Sequence, residues 1–229
     1  MIRIRPHRLF NLVQTSSYEA RMVKIVLPDQ RAPILLDTAV LLALAKLVQP
    51  RVYFEFGTYL GVQLLNLIAN LPPSARAYTL DLDEESAGKA EQHENDRPLT
   101  LEHLQSQDRL AFAHSSYESQ ITRLYGDSNT FDFSPFDRRV DMIFVDGGHD
   151  PRTLRSDTEN SFRMLSDDHE GCIAWHDYGN SIYPHLKWYI DGLSETRDVF
   201  FVEESMVAFC LKNCERLAAA LKSKVSTHG

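Results

Sequence analysis

Two short segments pair acids with imidazoles. Asp141-Met142-Ile143-Phe144-Val145-Asp146-Gly147-Gly148-His149-Asp150 runs apolar into an acid and then a histidine, and Gly171-Cys172-Ile173-Ala174-Trp175-His176-Asp177-Tyr178 ends on the two side by side. An apolar run that stops on polar residues reads as a strand whose carboxyl end opens into a crevice, so Asp146 and Asp177 should face one cavity. Two convergent carboxylates can hold a hard divalent cation with water and substrate oxygens completing its shell, magnesium first among them. His176 adds a nitrogen donor that also suits manganese or iron, but neighbouring strand residues point to opposite faces, so its status as a ligand stays open. His149, on the turn after Asp146, can take a proton from a substrate hydroxyl, a task for which an ordinary imidazole is suited. A cation on the same oxygen would lower that hydroxyl's pKa, so the two devices complement each other.

A second kind of chemistry lies upstream. Val52-Tyr53-Phe54-Glu55-Phe56-Gly57-Thr58-Tyr59-Leu60-Gly61 is an apolar strand, an acid and a glycine turn leading into helical sequence. Glycines let backbone approach a ligand closely, and the helix after them presents free N–H groups, as nucleotide-type cofactors require. A dinucleotide turn usually carries three glycines; here Gly57 and Gly61 flank Thr58 without a third. Glu55 would repel a pyrophosphate but would suit a cofactor bearing an ammonium group. At the end of the next apolar run, Thr79-Leu80-Asp81-Leu82-Asp83, Asp81 is placed to accept ribose hydroxyls, with Asp83 the competing assignment.

These groups need a scaffold that delivers strand ends to one edge. Apolar, β-rich runs at 52–56, 77–82, 121–125, 140–145 and 171–176 alternate with helical patterns at 62–70, 152–165 and 183–193, which predicts an α/β, doubly wound, mostly parallel sheet. Runs at 198–202 and 206–211, split by Glu203-Glu204-Ser205, predict an antiparallel C-terminal hairpin at the sheet edge. The polar stretch 83–118 reads as an excursion between strands with a solvated helix near Glu84 to Glu94, able to cover the site.

With 229 residues, 43% of them hydrophobic, the chain can bury one sizeable core, and we count a single domain over 1–229. It divides into an N-terminal helical segment, 1–49, a core, 50–212, and a tail, 213–229. A net charge of −8 argues against phosphate-backbone binding, so no nucleic acid partner is expected. Cys172, Cys210 and Cys214 show no metal spacing and read as free thiols of a reducing compartment. The apolar run 34–48 contains Asp37 and Lys46 and is too short for a hydrocarbon layer of about 30 Å. With no signal-peptide pattern after the basic residues 1–8, the protein is expected in the cytoplasm, away from membranes.

The motifs E-F-G-T-Y-L-G, T-L-D-L-D, Y-G-D-S, D-M-I-F-V-D-G-G-H and W-H-D-Y follow one another as in class I S-adenosylmethionine-dependent methyltransferases, and most resemble the macrocin-O-methyltransferase-like and cephalosporin-hydroxylase-like group over about 50–212. The resemblance implies a Rossmann-like sheet of seven strands. It implies S-adenosylmethionine held by Glu55, Gly57, Thr58, Gly61, Asp81 and Asp146, with adenine beside Asp127 and Ser128. It also implies a divalent metal, magnesium or another, at Asp146, Asp177 and His176, a base at His149, and a small-molecule hydroxyl acceptor such as a sugar. Two departures stand out: His176-Asp177 replaces a pair of acids, and Asp168-His169-Glu170-Gly171 replaces a P-G-G turn. A homo-oligomer is compatible with this group. Trp175, Tyr178, Tyr183 and Trp188 are candidate stacking surfaces for an acceptor ring.

Two other readings remain at this level. Tyr183-Pro184-His185-Leu186-Lys187 matches the Y-x-x-x-K of NAD(P)-dependent short-chain dehydrogenases, although Pro184 breaks the helix wanted there and the glycine turn lacks its third glycine. A non-catalytic cofactor-binding subunit would keep the turn and Asp81 without using His149.

Overall fold

The computed structural model describes residues 1–14, 20–25 and 35–223. Along the chain come β1 (Ile2–Ile4), α1 (Pro6–Gln14), α2 (Leu35–Val48), β2 (Val52–Phe56), α3 (Val62–Ile68), β3 (Arg76–Asp81), α4 (Glu84–Ala87) and α5 (Arg97–Gln105). Then follow β4 (Ile121–Tyr125), β5 (Met142–Val145), α6 (Pro151–Met164), β6 (Gly171–Trp175), α7 (Pro184–Leu193), β7 (Val199–Val202), β8 (Ala208–Lys212) and α8 (Glu215–Lys222). The strands form one sheet in the order β1-β7-β8-β6-β5-β2-β3-β4. Only β8 runs against its neighbours, β6 and β7, as the hairpin reading requires, but β1 pairs outside β7, so the hairpin does not form the sheet edge as expected.

Strand composition follows position in the sheet. Central β5 and β6, Met-Ile-Phe-Val and Gly-Cys-Ile-Ala-Trp, are buried at every residue, as parallel strands covered on both faces must be. Edge strand β4 is only partly covered. Alternate residues feed two cores: Tyr53, Met142, Phe144, Cys172 and Ala174 pack with Leu41, Leu44, Leu64 and Leu67 of α2 and α3. Phe54, Ile143, Val145, Ile173 and Trp175 pack with Leu154, Met164, Leu186 and Ile190 of α6 and α7. Each such side chain removed from water contributes about 1.5–3 kcal/mol. Asp150 caps α6 by accepting the N–H groups of Arg152 and Thr153, both at 3.0 Å, with Pro151 at the first helical position.

Among the described residues the sheet has eight strands rather than seven. Ile2–Ile4 pairs in parallel with β7, so the 1–49 segment begins as a strand and not as a helix. Three residues carry too little alternation to register as a strand without their partner. The solvated helix expected near Glu84 to Glu94 is a single turn, α4, and the excursion 83–118 contains the buried Asp96 and His103. All three cysteines are buried free thiols. No helix among the described residues is long and apolar enough to cross a membrane.

From β2 the chain moves outward to β3 and β4, then returns to β5 beside β2 and proceeds the other way to β6. The carboxyl ends of β2 and β5 therefore flank the switch point, where open α/β sheets bind ligands. Register pairs Phe56 with Val145, which puts Gly57 beside Asp146.

Candidate active site

Both glycines of the turn are required by what lies against them. Gly57 has φ 86°, and a Cβ there would stand 2.2 Å from the Asp146 carbonyl oxygen, so no side chain fits. At Gly61, φ 70°, a Cβ would stand 2.6 Å from the Phe112 ring. Asp81 braces the turn: its Oδ2 accepts the N–H groups of Thr58 at 2.8 Å and Tyr59 at 3.0 Å, and Oδ1 accepts from Leu82 at 2.8 Å. Asp83, the competing acid, instead caps α4 by accepting the Ser86 N–H at 2.8 Å.

Beneath the turn, Glu55 is only 2% exposed and accepts from Tyr53 Oη and Thr79 Oγ1, each at 3.3 Å, while the Thr79 and Thr58 hydroxyls lie 2.6 Å apart. Burial, with Asp146 nearby, pushes the Glu55 carboxyl well up. Asp127 accepts the backbone and side-chain N–H groups of Asn129 at 2.9 and 3.0 Å, and so organises its own turn after β4.

The acid–imidazole residues do converge. Asp146, His149 and Asp177 each offer a ligand atom within 4.8 Å of the others. His149 Nε2 lies 2.9 Å from Asp177 Oδ2, and its Nδ1 lies 2.9 Å from Asp96 Oδ1. His176 Nδ1 lies 3.1 Å from Asp146 Oδ1 and 3.2 Å from Asp177 Oδ2, while its Nε2 lies 3.1 Å from Asp37 Oδ2. Strand alternation would separate His176 from Asp177; instead Asp177 turns left-handed, φ 57°, a conformation aspartate tolerates, and both side chains reach one point. For a divalent cation this donor set fits: two carboxylates with imidazole nitrogens facing them, each ring's far nitrogen held by a further acid, as metal-bound histidines are usually held.

Charge balance sets the protonation of the cluster. Burial opposes charge on His149, but hydrogen bonds to Asp177 and Asp96 outweigh it and raise the imidazole to about 10. Burial likewise opposes charge on His176, and Asp146 and Asp177 push it well above the ordinary value. Desolvation would raise the Asp177 carboxyl, yet the His149 hydrogen bond and the His176 charge hold it far below the usual range. The expected neutral, unperturbed His149 is thus corrected: flanked by two carboxylates, it carries a proton.

A family profile described as a methyltransferase domain matches residues 54–178, more than half of the chain. The chain belongs to that methyltransferase family. Its methyl donor is S-adenosylmethionine. Solved structures show the same fold at low identity. A protein assigned as a caffeoyl-CoA O-methyltransferase from Staphylococcus aureus has TM-score 0.56 and 13% identity, over 90% of each chain. The S-adenosylhomocysteine-bound methyltransferase PaMTH1 of Podospora anserina and a methyltransferase from Geobacter sulfurreducens each have TM-score 0.53 and 15% identity, over 90% of this chain and 86% of theirs. No curated protein matches by sequence.

Membership overturns the dehydrogenase reading, and the geometry explains why its motif is accidental. In this methyltransferase the Tyr183 hydroxyl donates to Asp96 at 3.1 Å, whereas Lys187 pairs with Asp191 one helical turn away and lies over the Tyr178 ring. The candidate stacking aromatics divide: Trp175, Tyr178 and Tyr183 are buried, with Trp175 donating to Thr158 Oγ1 at 3.0 Å, and Trp188 is 71% exposed.

Sequence reasoning missed the residues that hold the two histidines. Asp96 lies in the polar excursion, where one more acid is unremarkable. Asp37 was visible as an acid interrupting an apolar helix, a signal of a buried charge with a partner, and it accepts both from His176 and from the Met206 N–H at 2.8 Å. Asp157 on α6 was also missed: it is 1% exposed, and burial, reinforced by Asp150 and Asp127 and only partly offset by the Ser128 hydroxyl, pushes it up to about 8.

Proposed function

We propose that this methyltransferase moves the methyl group of S-adenosylmethionine to a hydroxyl oxygen of a small molecule, a sugar by resemblance of its motifs. The observation that carries this reading is the meeting of His149, His176, Asp146 and Asp177 beside the glycine turn at the sheet's switch point. Glu55, Gly57, Thr58, Gly61 and Asp81 form the cofactor side, with Asp127 and Ser128 toward adenine. Asp146 borders both sides, since its carbonyl backs Gly57 while its carboxylate faces His176.

His149 Nε2 is the atom for the acceptor proton. It can act only after the imidazolium has given up its own Nε2 proton, which lies against Asp177 Oδ2 at 2.9 Å and can pass to that carboxylate before the acceptor takes its place at the ring. Asp146, Asp177 and His176 would hold a divalent cation, which supplies Lewis acidity and orientation for the acceptor oxygen. The carboxylates suit magnesium, and the imidazole nitrogen also suits manganese or iron.

Calorimetry with S-adenosylhomocysteine, NAD and NADPH on wild type and Asp81→Ala tests the cofactor side; we expect binding of the first alone, weakened about tenfold or more by the substitution. Turnover of S-adenosylmethionine with methyl rhamnoside and 3,4-dihydroxybenzoate, before and after chelation and manganese addition, tests the acceptor side. Turnover that survives both chelation and His149→Gln would remove the metal and the base together.

A further inference from the structure

We propose that Asp96 is the positioning residue that aims His149 at the acceptor, a role that rests on His149 being the base. Asp96 is the N-cap of α5, yet its side chain makes no capping bond to that helix. It forgoes a contact worth roughly 1 kcal/mol and spends both oxygens on the site. Oδ2 accepts the His149 backbone N–H at 2.8 Å, and Oδ1 accepts from His149 Nδ1 at 2.9 Å and from the Tyr183 hydroxyl at 3.1 Å. The Tyr183 ring in turn stacks on the His149 imidazole, centroids 4.0 Å apart and planes within 9°. The carboxylate is anchored behind: the Asp96 N–H donates to the His93 carbonyl at 2.9 Å, and its carbonyl accepts the Thr100 N–H at 2.9 Å.

The consequence is a defined tautomer. A carboxylate on Nδ1 keeps a proton there, so when the ring is neutral its lone pair sits on Nε2, the nitrogen turned toward Asp177. Tyr183 fixes the plane of the ring and Asp96 its rotation, which leaves Nε2 one direction in which to act. The excursion 83–118, far from the motif residues in sequence, thereby becomes part of the active site.

Asp96→Asn tests this directly. Asn can still accept the backbone N–H, but its amide would donate toward Nδ1 and favour the opposite tautomer. In histidine-¹⁵N-labelled protein saturated with S-adenosylhomocysteine, with His149 assigned by the His149→Gln variant, wild type should show a strongly deshielded Nδ1 proton. That strongly deshielded resonance should be lost in Asp96→Asn, where no carboxylate faces Nδ1, and return in Asp96→Glu, with S-adenosylhomocysteine affinity unchanged within threefold in all three. Turnover with the better of the two hydroxyl probes should fall about 10³-fold in Asp96→Asn with KM for the probe within threefold, and recover in part in Asp96→Glu. Persistence of the deshielded resonance in Asp96→Asn, or turnover within threefold of wild type, overturns the positioning role while leaving His149 as base. Full turnover in His149→Gln overturns the base itself, and the role of Asp96 with it.

Discussion

The two sides of the proposed active site are built in different ways. The proposed cofactor side is short-range: the glycine turn is shaped by its own φ angles and braced by the next strand, with Asp81 holding Thr58 and Tyr59 and Thr79 holding Glu55. The acid–imidazole side is assembled from distant pieces, with Asp37 from α2, Asp96 from the excursion, Asp146 and His149 after β5, and His176 and Asp177 after β6. A site of the first kind is written in a local motif. One of the second kind depends on the whole fold arriving together, because each imidazole has partners from at least two elements.

The comparison sharpens most at Gly57. Gly57→Ala forces a methyl group to within 2.2 Å of the Asp146 carbonyl at a positive φ, and should cost about 3 kcal/mol or more. Chemical denaturation should show the loss, and S-adenosylhomocysteine binding should disappear with it, since the contact joins the two sides.

Asp37→Ala probes the distant assembly alone. It strips His176 of its far carboxylate and Met206 N–H of its acceptor, at an expected cost of about 2–3 kcal/mol, with S-adenosylhomocysteine affinity within threefold of wild type. Equal losses of stability and cofactor affinity would show that the two sides are one unit after all.

Asp157 predicts a pH effect behind the cluster. Its carboxyl is raised in the fold to about 8 and is ordinary when unfolded, so the native state holds the proton longer. Its contribution therefore turns against folding as pH rises from about 4 to about 8, by an amount on the order of a few kcal/mol, and then levels off. Asp157→Asn should remove that decline from the urea midpoints measured across the window. A parallel decline in both proteins would assign it elsewhere.

The smallest effect is expected at Lys187, which is partly exposed and paired with Asp191 on its own helix. Lys187→Ala should cost less than about 0.5 kcal/mol and leave methyl transfer unchanged, whereas a loss of turnover would mean that α7 contributes a charge to the site.

Much of the scaffold was legible because burial writes a period into the chain. Apolar runs such as Met142–Val145 and Gly171–Trp175, alternating with helical patterns, read as covered strands of a mostly parallel sheet, and the split between Val199–Val202 and Ala208–Lys212 marked the hairpin. Ile2–Ile4 was not legible, since a three-residue strand draws its stability from the partner it finds in β7 and not from its own pattern.

In the site, the glycines, Asp81 and the two acid–histidine pairs were set by sequence, since turn geometry and strand ends are local properties and residue type states which chemistry they can do. What the tertiary structure decided is the state of those groups. Only folding could bring Asp96 and Asp37 against the two imidazoles, turn Asp177 left-handed so that it meets its neighbour His176, and hold His149 charged between carboxylates. Protonation and orientation depend on distance through space and on exclusion from water, and neither quantity exists until the chain is packed.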